Sequence, residues 1–175
     1  MRDIVDFDAD ITSGNLPSLS YVKYRTSGNE HPEWSYVSDG ENNVAAVVNA
    51  VFASSTYQKN TLILLTWDEG GGFFDHVRPP ATTEVFPPSA GAGYAGAPIP
   101  YGTRVPMMAL GSFAMQGEIS HVQMEHSSIV KFLEWNFLGP AGVGAIHATD
   151  TYARDAVVNN IGSMLDATAV GVHVP

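Results

Sequence analysis

Apolar and polar positions alternate over Leu19-Ser20-Tyr21-Val22-Lys23-Tyr24, which predicts a strand. Further on, Val44, Val47, Val48, Val51 and Phe52 recur at helical intervals and give a helix one apolar stripe. Ser38-Asp39-Gly40-Glu41 has the spacing of a capping box, so this helix should start near Ser38 and run through about residue 54. Asn60 interrupts the pattern. Thr61-Leu62-Ile63-Leu64-Leu65-Thr66-Trp67 then reads as a strand buried on both faces, as in a parallel sheet. Arg104 to Leu110 is a second buried strand, with Pro106 placing it at an edge or near its start. A helix over 127–137 would bury Ile129, Phe132, Leu133 and Phe137 and stop at Gly139-Pro140. A last helix over 154–165 is weakened by Gly162 inside it. A helix followed by an apolar strand is the α/β rhythm, and α/β is the expected fold class.

The segments between these elements narrow the picture. Asp6, Asp8 and Asp10 stand at alternate positions, as in a calcium loop. Such a loop needs Gly at its sixth residue and Glu at its twelfth, where this chain has Ile11 and Pro17. Residues 1–15 are therefore expected to form a solvated turn. Many of the 17 Gly and 11 Pro fall between 70 and 106, which reads as a long loop of the kind that carries function.

The length of 175 residues suits a single domain. With 45% hydrophobic and 15% charged residues, extended disorder is not expected. A net charge of −10 repels phosphate backbones, so no nucleic-acid partner is expected. The absence of Cys excludes disulfides and thiolate metal sites. Met1-Arg2-Asp3-Ile4-Val5-Asp6 has no apolar core of a signal peptide, and no run of 18 apolar residues occurs, so no transmembrane segment is expected.

Candidate chemistry concentrates after the first buried strand, in Thr66-Trp67-Asp68-Glu69-Gly70-Gly71-Gly72-Phe73-Phe74-Asp75-His76-Val77. In open α/β sheets, ligands bind beyond the carboxyl ends of strands, which is where Asp68 and Glu69 stand. Adjacent carboxylates repel, and a cation, a shared proton or solvent relieves that repulsion. Oxygen donors suit Mg, Ca or Mn, and an added His would suit Zn or Fe. Three glycines let the backbone turn sharply and approach a bound group. An exposed strand end with a flexible turn is the plainer alternative. His31, His76 and His126 are the noteworthy histidines, though a lone loop His is more often a surface residue than a catalyst.

These segments resemble a known family. Asn29-Glu30-His31-Pro32, Gly40-Glu41, the Asp68 segment with Pro79-Pro80, Arg104-Val105-Pro106, His121 to Asn136 and Arg154-Asp155-Ala156 follow one another as in the bacterial phosphoesterase family of phospholipases C and acid phosphatases. The resemblance covers about residues 7 to 166. It implies part of an alkaline-phosphatase-like α/β fold, with a mostly parallel sheet and flanking helices. It implies a divalent metal cofactor (Ca, Mg, Mn, Zn or Fe) held by Asp68 and Glu69, and a phosphate ester or phospholipid as substrate. His31 is similar to the histidine that contacts the transferred phosphate or protonates the leaving group. His76 and His126 match motif positions counted as catalytic.

Family members also carry a Glu-Asn metal-binding pair and a Ser or Thr nucleophile in an N-terminal half, and nothing in residues 1–28 matches either. The first expectation is therefore a metal-dependent phosphoric ester hydrolase in partial or truncated form, with weak activity of its own. The second is a non-catalytic metal- or phosphate-binding domain. The third is a fragment whose open sheet edge favours self-association or pairing with the missing half. Family members are often exported, which leaves the compartment of this chain open.

Overall fold

Asp3 starts the first element. In a computed structural model that describes residues 3–82, 84–143 and 154–169, its carboxylate accepts the Ile4 N–H at 2.6 Å. The Asp6 carboxylate accepts the Asp3 N–H at 3.1 Å in return. This capping box opens helix α1, Ile4–Ser13. Gly14 closes it in the left-handed region, its N–H reaching the Asp10 and Ile11 carbonyls. The expected solvated turn is thus a helix: its acids satisfy the helix start, and Ile11 is buried.

The described chain groups into two compact units, Met1–Leu65 with Met108–Ala114 and Thr66–Met107 with Met115–Pro175. In the first, α1 touches helix α2, Val37–Ala53. The periodic valines do form α2, with Val51 buried, while Phe52 is exposed at the end of the stripe. Its cap lies two residues earlier than expected. Asp39 accepts the Tyr36 N–H at 3.2 Å, and Glu41 takes no part. Residues 19–24 form no strand. Alternation marks a strand only where a neighbour supplies hydrogen bonds, and here Leu19, Tyr21 and Val22 are solvent-exposed.

Strand β1, Ile63–Thr66, pairs with strand β2, Met107–Leu110, in a two-stranded sheet. Pro106 directly precedes β2, where its missing N–H does no harm. β1 is half-buried along its length and not covered on both faces, as its apolar run suggested. Gly111 ends β2 at φ 113°, and a Cβ there would strike the Thr61 carbonyl oxygen. Both the backbone conformation and the contact demand glycine. Gly111→Ala should therefore cost about 3 kcal/mol and lower the urea midpoint by about 1 M or more. An unchanged midpoint would show that this junction is not tightly packed.

The second unit holds the long loop and helix α3, His126–Leu138. Among the described residues of 70–103 there are a 3₁₀ turn at Pro88–Ala90 and an isolated antiparallel bridge between Val85 and Pro98. Ser128 Oγ accepts the Glu125 N–H at 3.1 Å at the start of α3, and Gly139 stops it with its N–H on the Trp135 carbonyl. Phe137, expected in the core, is 51% exposed on the last turn. The expected helix over 154–165 is instead two 3₁₀ turns, Arg154–Ala156 and Gly162–Met164. Asn160 caps the second with its own side chain, accepting the Gly162 N–H at 2.7 Å, a local bond that competes with helix. Ile161 and Leu165 are buried there. Among the described residues, three helices and a two-stranded sheet make a mixed helix–strand architecture.

Candidate functional site

Each unit carries a built turn with candidate chemistry. In the first unit, His31 sits between two non-glycine residues in the left-handed region, Glu30 (φ 65°) and Glu33 (φ 73°). Such conformations are costly and gather at functional sites. Hydrogen bonds hold the turn: Asn29 Oδ1 accepts the His31 N–H at 3.1 Å and the Ser35 hydroxyl at 3.3 Å. The His31 carbonyl accepts the N–H groups of Trp34 and Ser35. The His31 ring meets Trp34 edge-on at 6.4 Å.

His31 Nδ1 lies 2.7 Å from the Pro32 carbonyl. A carbonyl only accepts, so Nδ1 carries the hydrogen and the neutral ring keeps its lone pair on Nε2.

In the second unit, Asp68 and Glu69 follow β1 after Trp67, and both are exposed. Glu69 accepts the Gly71 N–H at 2.7 Å, and the Phe73 N–H bonds the Gly70 carbonyl at 3.1 Å. Gly71 (φ 65°) and Gly72 (φ 74°) supply the left-handed steps of this turn. A Cβ on Gly70 would strike Thr103 Oγ1, so the turn lies close against the segment entering β2.

His126, the first residue of α3, points its ring at this strand end. Its Nε2 donates to the Trp67 carbonyl at 2.8 Å, one residue before Asp68. Glu125, beside it, is held by Arg154 Nη2 at 2.6 Å, and Arg154 Nε also lies 3.3 Å from Glu84. The same guanidinium covers the Tyr101 ring at 4.7 Å, so one cation ties the long loop to the start of α3.

His76 is placed differently. Its side chain is 83% exposed, with Nδ1 3.9 Å from Asp75 Oδ1. Asp75 instead pairs with Arg104, whose guanidinium holds the carboxyl well below the usual carboxylate range. A depressed pKa means that any stabilisation from the pair is complete above the ordinary Asp value near 3.9 and fades as pH falls below it. Asp75 and Arg104 both lie within the family-like segments, but nothing in their spacing gives either a role.

Asp68 and Glu69 are consecutive carboxylates, and oxygen donors of this kind suit Mg, Ca or Mn. Among the described residues, no cluster of three or more His, Asp or Glu forms a metal site.

The phosphoesterase family model matches residues 1–138. The chain is 29% identical to a hemolytic phospholipase C of Pseudomonas aeruginosa, over 97% of this chain and 23% of that protein. It is 27% identical to phospholipase C B of Mycobacterium tuberculosis, over 94% of this chain and 32% of that protein. Non-specific phospholipase C6 of Arabidopsis thaliana is 29% identical over 70% of this chain and 26% of its own length. The chain thus spans roughly a quarter to a third of the length of these relatives.

Proposed function

Because this chain belongs to the phosphoesterase family, we propose that it carries part of the active site of a metal-dependent phosphoric ester hydrolase. The single observation that carries the reading is the pair Asp68–Glu69, exposed at the end of β1 and followed by a glycine turn, in a chain of this family. The surrounding architecture is proposed to be an alkaline-phosphatase-like α/β fold, with β1 and β2 belonging to a larger, mostly parallel sheet. The names of the relatives make a phospholipid the first substrate class to test.

Asp68 and Glu69 are the proposed ligands of a divalent cation. When bound, the cation would neutralise charge on the phosphoryl oxygens and lower the pKa of an attacking water. With Nδ1 held on the Pro32 carbonyl, Nε2 is the ring atom proposed to carry a proton to the leaving oxygen, which it can do only when the ring is protonated. The bond from His126 to the Trp67 carbonyl supports a positioning role for that ring, which steadies the backbone just before Asp68. His76 is the proposed third histidine, with open access to solvent.

These 175 residues span roughly a quarter to a third of the length of the relatives, and they are proposed to hydrolyse esters slowly by themselves. The test is an assay with p-nitrophenyl phosphate and with phosphatidylcholine, after chelation and again with Mn²⁺ or Ca²⁺ restored. The reading expects cation-dependent turnover below about 1 s⁻¹, the low end for complete enzymes. Equal turnover in chelator would contradict it.

A further inference from the structure

We propose that Asp75 and Arg104 are a positioning pair that holds the Asp68–Glu69 turn in place beyond the end of β1. The inference rests on the reading of that turn given above. Asp75 takes an unusual number of donors for a loop carboxylate. Its Oδ1 accepts the Val77 N–H at 3.0 Å and Arg104 Nη2 at 2.8 Å. Its Oδ2 accepts the Arg104 backbone N–H at 3.0 Å and Arg104 Nε at 2.9 Å. The Asp75 side chain is only 11% exposed, against 58% for Arg104.

An ordinary surface ion pair contributes little, because solvent screens it and two long side chains must be ordered. This pair differs in two ways. The fork of Arg104 meets both carboxylate oxygens, which fixes direction as well as distance. The backbone N–H of Arg104 joins in, so the carboxylate grips the main chain that leads into β2.

Two more ties run between the same segments. Thr66 Oγ1 donates to the Pro106 carbonyl at 2.9 Å, and Gly70 lies against Thr103. The residues 66, 70 and 75 therefore meet 106, 103 and 104, a seam that continues past the sheet. The acidic turn is threaded between the first tie and the last. With Nε and Nη2 both on Asp75, Arg104 serves as a strut and is a poor anchor for substrate phosphate. A seam of this kind removes conformations in which the two carboxylates splay apart, which is how supporting residues raise affinity for a cation.

The test uses amide hydrogen exchange of Gly71, whose N–H bonds the Glu69 carboxylate, with the Phe132 amide of α3 as reference. Mn²⁺ affinity is measured by calorimetry on the same proteins. Asp75→Asn keeps the shape and loses the charge, and Arg104→Lys keeps the charge and loses the fork. Each is expected to speed Gly71 exchange about tenfold with Phe132 unchanged, and to weaken Mn²⁺ about tenfold, the lower end for supporting residues of metal sites. Unchanged Gly71 exchange in both variants would overturn the proposal. Loss of protection at Phe132 as well as Gly71 would also overturn it, since the pair would then hold the whole unit together. Asp68→Asn separates the two readings. Should it leave Mn²⁺ affinity intact, the metal assignment fails, and Gly71 exchange still decides the fate of the pair.

Discussion

Asp68→Asn should lower cation-dependent hydrolysis of p-nitrophenyl phosphate about 100- to 1,000-fold, measured as a ratio to the unaltered chain. The substitution keeps the side chain's shape and one oxygen donor but removes a full negative charge. The proposed cation would be held by few ligands, so each charge would weigh heavily in its affinity. The loss of bound cation then removes the charge stabilisation of the phosphoryl oxygens, an effect of several kcal/mol. Part of the loss should be recovered at high cation concentration, because the defect lies in binding. Activity unaffected by the substitution would mean that the acidic turn is a solvated strand end and nothing more.

His31→Ala should reduce the same activity about 100-fold or more, the range for a positioned general acid or base. The turn around His31 keeps Nδ1 on the Pro32 carbonyl, which would leave Nε2 for the proposed proton transfer. Asn29 and Ser35 should still form that turn without the ring, because their bonds use the Asn29 side chain and the backbone of residue 31. The variant should therefore fold normally and bind Mn²⁺ with unchanged affinity. The contrast with Asp68→Asn is diagnostic: one change removes the cation and the other leaves it bound. Full activity in His31→Ala would remove this residue from the reaction.

The parts of the fold legible in the sequence were those with a long, regular signal. The valines of α2 and the apolar face of α3 repeat over several turns, and Gly139-Pro140 stops α3 where expected. Pro106 placed the start of β2 because a residue without an N–H can stand only at such a boundary. Short elements were harder. α1 was obscured because acids at alternate positions look like a loop, while its capping box joins only Asp3 and Asp6. The alternation over 19–24 described a possible strand without a partner to complete it.

The site divides along the same line. Asp68 and Glu69 stood out because a strand end and a glycine turn are local features. The partners of the turn were not visible. Asp75 meets Arg104 across 29 residues, and His126 meets the Trp67 carbonyl across 59. Neither separation follows from periodicity, since it depends on the path of a loop rich in Gly and Pro. A charged residue inside an otherwise apolar strand entrance, as Arg104 is, was the one available hint.

The most direct test of the central claim is thermal unfolding of the unaltered chain and of an Asp68→Asn, Glu69→Gln double variant in rising Mn²⁺ or Ca²⁺. A ligand that binds only the folded state stabilises it by RT ln(1 + [L]/Kd), about 2.7 kcal/mol at a hundred times Kd. The account predicts a midpoint that climbs with cation concentration in the unaltered chain and stays still in the double variant. A midpoint that ignores millimolar Mg²⁺, Ca²⁺, Mn²⁺ and Zn²⁺ in the unaltered chain, or that climbs equally in both proteins, would contradict it.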